Sequence, residues 1–212
     1  MCKIYVLSGL GVDDRVFNTF EFKNKNVAFI SWTPPLQHDT LPSYAARIAE
    51  QIKEDLFILM GLSFGGMVAV EIAKIRQVKK VILLASAKGR KELPPLYSFI
   101  GKYRLHQWVP AFLLKRCNFV TYWFFGARTQ EDKYLLKVIL SDTDCTFLTW
   151  AIDAILKWKN EEFPSNLIHI HGNRDRILPS KYVAYDYLIA GGGHFMTVNF
   201  SKDIECILEK HM

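Results

Sequence analysis

Gly61-Leu62-Ser63-Phe64-Gly65-Gly66 follows the apolar run Leu56-Phe57-Ile58-Leu59-Met60 and precedes the helix-like stretch Met67-Val68-Ala69-Val70-Glu71-Ile72-Ala73. That order reads as strand, sharp turn, helix. A serine on such a turn is held in a strained conformation at the carboxyl edge of a sheet, and the residues two before and two after it must be small for the backbones to pass. Gly61 and Gly65 occupy those two positions. The competing reading is a strand-to-helix turn in which the glycines serve packing and Ser63 caps the helix.

Outward from this turn the chain alternates strands with helices. Lys3 to Leu7 forms a short apolar strand that enters the loop Ser8-Gly9-Leu10-Gly11, and a helical pattern capped by Asp13 follows. The loop holds neither GxGxxG nor GKS/T, which argues against a nucleotide-phosphate site. Val27 to Ile30 is a second strand, and Tyr44 to Ile52 an amphipathic helix with Ala45, Ile48, Ala49 and Ile52 on one face. Further strands are expected at Leu56–Met60, Lys80–Ala85, Asn166–His171 and Asp186–Ala190, and Ser201 is placed to cap a closing helix. Alternation without hairpin signals predicts an α/β fold: a predominantly parallel sheet of about six strands with helices on both faces.

Residues 88–159 break the rhythm. The segment shows no clear strand and is rich in aromatic residues: Trp108, Phe112, Phe119, Tyr122, Trp123, Phe124, Phe125, Trp150 and Trp158. It is expected to be an inserted helical cap, with residues 1–87 and 160–212 forming the core. The insertion carries twelve Lys or Arg against six Asp or Glu, whereas the rest has fifteen of each. The formal net charge of +6 therefore lies wholly in the insertion.

An apolar share of 50% over 212 residues is that of one globular domain rather than a disordered chain. The opening apolar run is too short for a secretory signal and no stretch is long enough for a membrane span, so a soluble, cytoplasmic protein is expected. Cys2, Cys117, Cys145 and Cys206 are scattered, with no CxxC pair, and suggest buried or idle thiols rather than a disulfide framework or zinc site. The basic balance lacks the motif that would give it a nucleic-acid binding geometry.

In a parallel sheet the carboxyl ends of all strands lie on one edge, so residues just past different strands can converge. Ser63, Asp175 and His194 each hold such a position. An imidazole makes a serine hydroxyl nucleophilic by taking its proton, and a carboxylate fixes the tautomer of the imidazole and stabilises its charged form. Asp142, Asp144 and Asp153 fall in the insertion and Asp186 at the amino end of its strand. His169 and His171 lie within a strand and read as packing or supporting residues, and His38, His106 and His211 lack a strand-to-loop setting.

Through Gly61-Leu62-Ser63-Phe64-Gly65-Gly66, His171-Gly172-Asn173-Arg174-Asp175 and Gly193-His194-Phe195, the sequence resembles the α/β-hydrolase superfamily, in particular its small, capped, esterase-like members. The likeness spans nearly all of the chain outside the insertion. It implies a Ser63–His194–Asp175 triad, with an oxyanion hole from the backbone N–H groups of Leu10 and Phe64. Two departures stand out: Ser8-Gly9 replaces the usual His-Gly, and the first strand here corresponds to the one that precedes that loop. A trimmed sheet of six strands, rather than eight, is expected.

The reaction so implied is hydrolysis of a small-molecule carboxylic ester or thioester through an acyl-enzyme, with no metal or organic cofactor. The same three side chains would also serve a carbon–carbon bond hydrolase or a lyase of the menaquinone-pathway type, and a non-catalytic ligand receptor of the same fold is a third reading. The basic insertion points to a substrate with a negative charge remote from the scissile carbonyl, or else to a solvated face. Its aromatic residues either line a pocket or only pack. No nucleic-acid partner and no stable membrane insertion are expected, and the oligomeric state is not legible.

Overall fold

A computed structural model describes residues 2–10, 13–22, 25–109, 113 and 115–212. Six strands, β1 (Ile4–Leu7), β2 (Val27–Phe29), β3 (Phe57–Leu62), β4 (Val78–Leu84), β5 (Leu167–Gly172) and β6 (Tyr187–Ile189), form one sheet in the order β2-β1-β3-β4-β5-β6. Every pairing is parallel. The six-stranded parallel sheet expected from the sequence is therefore present. β3 is central, with Gly61 in register with Leu7 on one side and Leu83 on the other.

Both faces of the sheet are covered, which is why β3 reads as an unbroken apolar run. Phe57 and Leu59 point into a core shared with α1 (Leu41–Ala49) and α2 (Phe64–Ile75). Ile58, Met60 and Leu62 point into the opposite core, with Val16, Phe17, Met196, Ile204 and Leu208. Each fully buried Leu or Ile contributes about 1.5–3 kcal/mol over leaving it exposed.

α1 starts three residues before the expected Tyr44. Thr40 and Ser43 form a capping box, in which the Ser43 N–H donates to Thr40 Oγ1 and the Thr40 N–H to Ser43 Oγ, and Pro42 fits the first turn. Ala45, Ile48, Ala49 and Ile52 are all buried as expected, although Ile52 lies past the helix end. Asp13 does cap, accepting from the Arg15 N–H at the head of a short 3₁₀ turn, Asp14–Phe17. Ser201 does not. The closing helix Ser201–Glu209 begins on Ser201 itself, because the turn Met196–Asn199 runs directly into it through Phe200.

Among the described residues, 88–159 hold α3 (Pro95–Lys102), α4 (Phe119–Phe125), α5 (Gln130–Asp142) and α6 (Cys145–Lys157). α5 and α6 are built into opposite cores: Leu136, Ile139 and Leu140 join the core on the Ile58 side, and Phe147, Ala151 and Ala154 that on the Leu59 side. The aromatic residues divide accordingly. The Trp150 and Tyr44 rings lie 4.5 Å apart, tilted by 46°, and the Trp158 indole N–H donates to Glu71 at 2.7 Å. Trp108 and Phe119 are instead 83% and 80% exposed, while Phe112 lies outside the described residues.

The four thiols are free, and none is buried: Cys145 and Cys206 are exposed, Cys2 and Cys117 partly so. Among the described residues no helix is long and apolar enough to cross a membrane, and no cluster of His, Cys, Asp or Glu could hold a metal ion.

Candidate active site

β3 ends at Leu62 and α2 begins at Phe64, so Ser63 alone makes the turn. Its backbone sits at φ 51°, ψ −119°, a strained region for a residue with a side chain. The close approach that the turn demands is visible at the glycines. A Cβ on Gly61 would lie 2.5 Å from the Gly66 nitrogen, and one on Gly65 would lie 2.5 Å from the Leu7 carbonyl oxygen. Although Ser63 stands at the helix cap, its side chain makes no cap hydrogen bond. Its hydroxyl faces His194 instead, with Oγ 2.8 Å from Nε2.

His194 follows β6 and Asp175 follows β5, both on the edge where Ser63 lies. His194 Nδ1 is 2.7 Å from Asp175 Oδ2. A carboxylate only accepts, so Nδ1 carries the proton and Nε2 is left to accept from the serine hydroxyl. The other carboxylate oxygen, Oδ1, accepts the N–H groups of Ile177 (2.9 Å) and Leu178 (2.8 Å). Asp175 and His194 are only 4% and 7% exposed, so water competes little for these bonds. The structure thus brings the three side chains into one hydrogen-bonded chain.

The competing acids are engaged elsewhere: Asp142 pairs with Arg15, Asp144 caps α6, Asp153 bonds His106 and Lys157, and Asp186 accepts from the His169 N–H.

By sequence, no family model and no curated protein matches the chain. By structure, it is similar to a thermophilic esterase from Thermogutta terrifontis, with a TM-score of 0.73 at 13% identity over 99% of this chain and 89% of that one. It is equally similar to an esterase from Exiguobacterium antarcticum, at 0.73 and 16% over 100% and 91%. MenH from S. aureus superposes at 0.71 and 14% over 99% and 92%. The chain has the α/β-hydrolase fold.

Within this α/β-hydrolase fold, Phe64 opens α2, and its N–H belongs to the first-turn donors that have no acceptor within a helix. Leu10 lies in the loop after β1, partly exposed. Ser8 is buried and accepts a hydrogen bond from the Trp32 indole at 3.0 Å.

Three further residues support the triad, of which the sequence points only to His171. Ser86 Oγ donates to the Ser63 carbonyl at 2.6 Å, bracing the strained turn from the neighbouring strand. Its position just past β4, on the same edge, was the available signal. Tyr97, on α3, donates to the Ile177 carbonyl at 2.8 Å. Burial, with the Asp175 charge adding to it, pushes its phenol up to about 12, so it stays a donor. Nothing in the sequence pairs α3 with that loop. His171, read as a supporting residue, donates from Nε2 to the Leu178 carbonyl at 2.8 Å, leaving Nδ1 to accept from His169 at 3.3 Å.

Ser63→Ala and Ser63→Gly both lack the hydroxyl but differ in the strained Cβ, so the glycine variant should be the more stable by about 1 kcal/mol. Chemical denaturation of the pair checks this; equal midpoints would mean that the turn stores no strain.

Burial holds His169 well below and His171 below the usual histidine pKa; the facing His171 and Lys88 add to the effect at His169, while Asp175 opposes it at His171. Below about pH 6.5 the unfolded chain takes up protons that the folded chain refuses. Their stabilising contribution is complete above that pH and is lost as pH falls toward the folded values, at up to about 1.4 kcal/mol per histidine per pH unit. The melting temperature should drop between about pH 7 and 5.5, and less steeply in His169→Gln. A wild-type melting temperature constant over that interval would contradict it.

Proposed function

We propose that the protein is a serine hydrolase of small-molecule carboxylic esters or thioesters. The observation that carries this reading is the chain Ser63 Oγ to His194 Nε2 (2.8 Å) and His194 Nδ1 to Asp175 Oδ2 (2.7 Å), built on a strained turn at which the serine side chain makes no helix-cap bond. Ser63 attacks the carbonyl as His194 takes its proton. The N–H groups of Phe64 and Leu10 receive the oxyanion, and Asp175 stabilises the imidazolium. His194 then returns the proton to the leaving alcohol or thiol, and water repeats the sequence to release the acid. Loss of one oxyanion donor typically costs on the order of 100-fold to 1000-fold in turnover.

The structural neighbours named as esterases agree with this chemistry but share only the fold at such identities. A screen of esters and acyl-thioesters of graded chain length, with Ser63→Ala as the blank, tests the proposal. Turnover that depends on Ser63 supports it. Equal rates in both proteins across the panel would overturn it.

A further inference from the structure

The positive charge of the insertion is not spread evenly over the site. Several cations are engaged locally: Lys115 donates to the Ser141 and Thr143 carbonyls, Lys157 pairs with Asp153, and Arg90 donates to Leu156 and Ser98. Arg128 and Lys133 converge with other cations. They share a cavity of about 510 Å³ with Arg174 and Arg176 from the loop after β5, and with Tyr122 and Trp123 from α4. No Asp or Glu is among the described residues that line it, and none of its four cations forms an ion pair with a described residue.

Four like charges around one concavity repel each other unless an anion joins them. Two of them are already oriented. Arg176 lies 4.3 Å from the Trp123 ring centroid and donates from Nη1 to the Trp123 carbonyl at 2.8 Å, and Arg128 Nη2 donates to the Gly191 carbonyl at 2.7 Å. Each guanidinium has five N–H donors, so both retain free donors in a fixed fork. Lys133 stands over Tyr122 at 5.9 Å. The aromatic faces supply apolar area for a planar group, and the volume falls in the range of small-ligand pockets.

From this convergence we propose that the cavity is a binding site for a small anion carrying a planar ring, of the aryl phosphate or aryl carboxylate class. The site is separate from the triad. Its lining includes none of Ser63, His194, Leu10 or Phe64, although Arg174 and Arg176 flank Asp175 in sequence.

Isothermal titration of the full chain with phenyl phosphate, benzoate, inorganic phosphate and phenol tests this. Saturable binding of phenyl phosphate or benzoate is expected, weakening with added salt. Inorganic phosphate should bind more weakly, and phenol should give no saturable signal. The double variant Lys133→Gln/Arg174→Gln should bind at least about tenfold more weakly, the scale of lost charge-assisted hydrogen bonds. Arg174→Gln alone, a change at an exposed residue, shows the same direction should the double variant fold poorly. Ser63→Ala should bind as wild type does, which keeps this test independent of the hydrolase reading. The proposal is overturned if neither aryl anion saturates, if the folded glutamine variants keep wild-type affinity, if inorganic phosphate binds as tightly, or if Ser63→Ala abolishes binding.

Discussion

Replacing Ser63 by alanine is expected to lower ester or thioester turnover by about 10⁵-fold to 10⁶-fold, the scale reported by loss of a serine nucleophile that acts as a unit with its base. The hydroxyl has one hydrogen-bonding side-chain partner, His194, so its removal should leave the fold intact. The residual rate would come from the backbone donors of Leu10 and Phe64, which the change does not touch. Steady-state kinetics on whichever substrate the panel yields gives the number. A fall of less than about tenfold would mean that another group delivers the attack.

Asp175→Asn should cost about 10⁴-fold in turnover while the protein still folds. An asparagine keeps the shape and can place its carbonyl oxygen toward the Ile177 and Leu178 N–H groups that Oδ1 now accepts. What then faces His194 Nδ1 is an amide N–H, a donor where an acceptor is needed. The imidazole is driven to the tautomer with its proton on Nε2, which cannot take the proton of Ser63. The charge that stabilises the imidazolium is lost as well. Near-normal kcat/KM in a folded Asp175→Asn protein would show that Asp175 does not orient His194.

How far the sequence carried the structure depends on how local the determinant was. The six strands were legible because two covered faces demand apolar runs, and Gly61, Ser63 and Gly65 were legible because a single turn fixes all three. Asp175 and His194 could be singled out because parallel topology converts "just past a strand" into a place on one edge. Boundaries set by side-chain capping fared less well. The Thr40–Ser43 box lies in a polar stretch with no periodicity, and the Ser201 cap was pre-empted by the turn before it. Long-range supports were least legible: Tyr97 reaches Ile177 only because α3 folds back over the loop after β5, and residue types carry no such information. The same holds for the cavity beside Trp123, whose cations come from two distant segments.

Activation of Ser63 by His194 underlies the proposed chemistry. Its most direct test is reaction of the native protein with a fluorophosphonate, followed by peptide mass spectrometry to locate the adduct. One adduct per chain, on Ser63, is expected, with loss of rapid labelling in a folded His194→Gln variant. An adduct on a different residue, or labelling of Ser63 at an undiminished rate without His194, would contradict it.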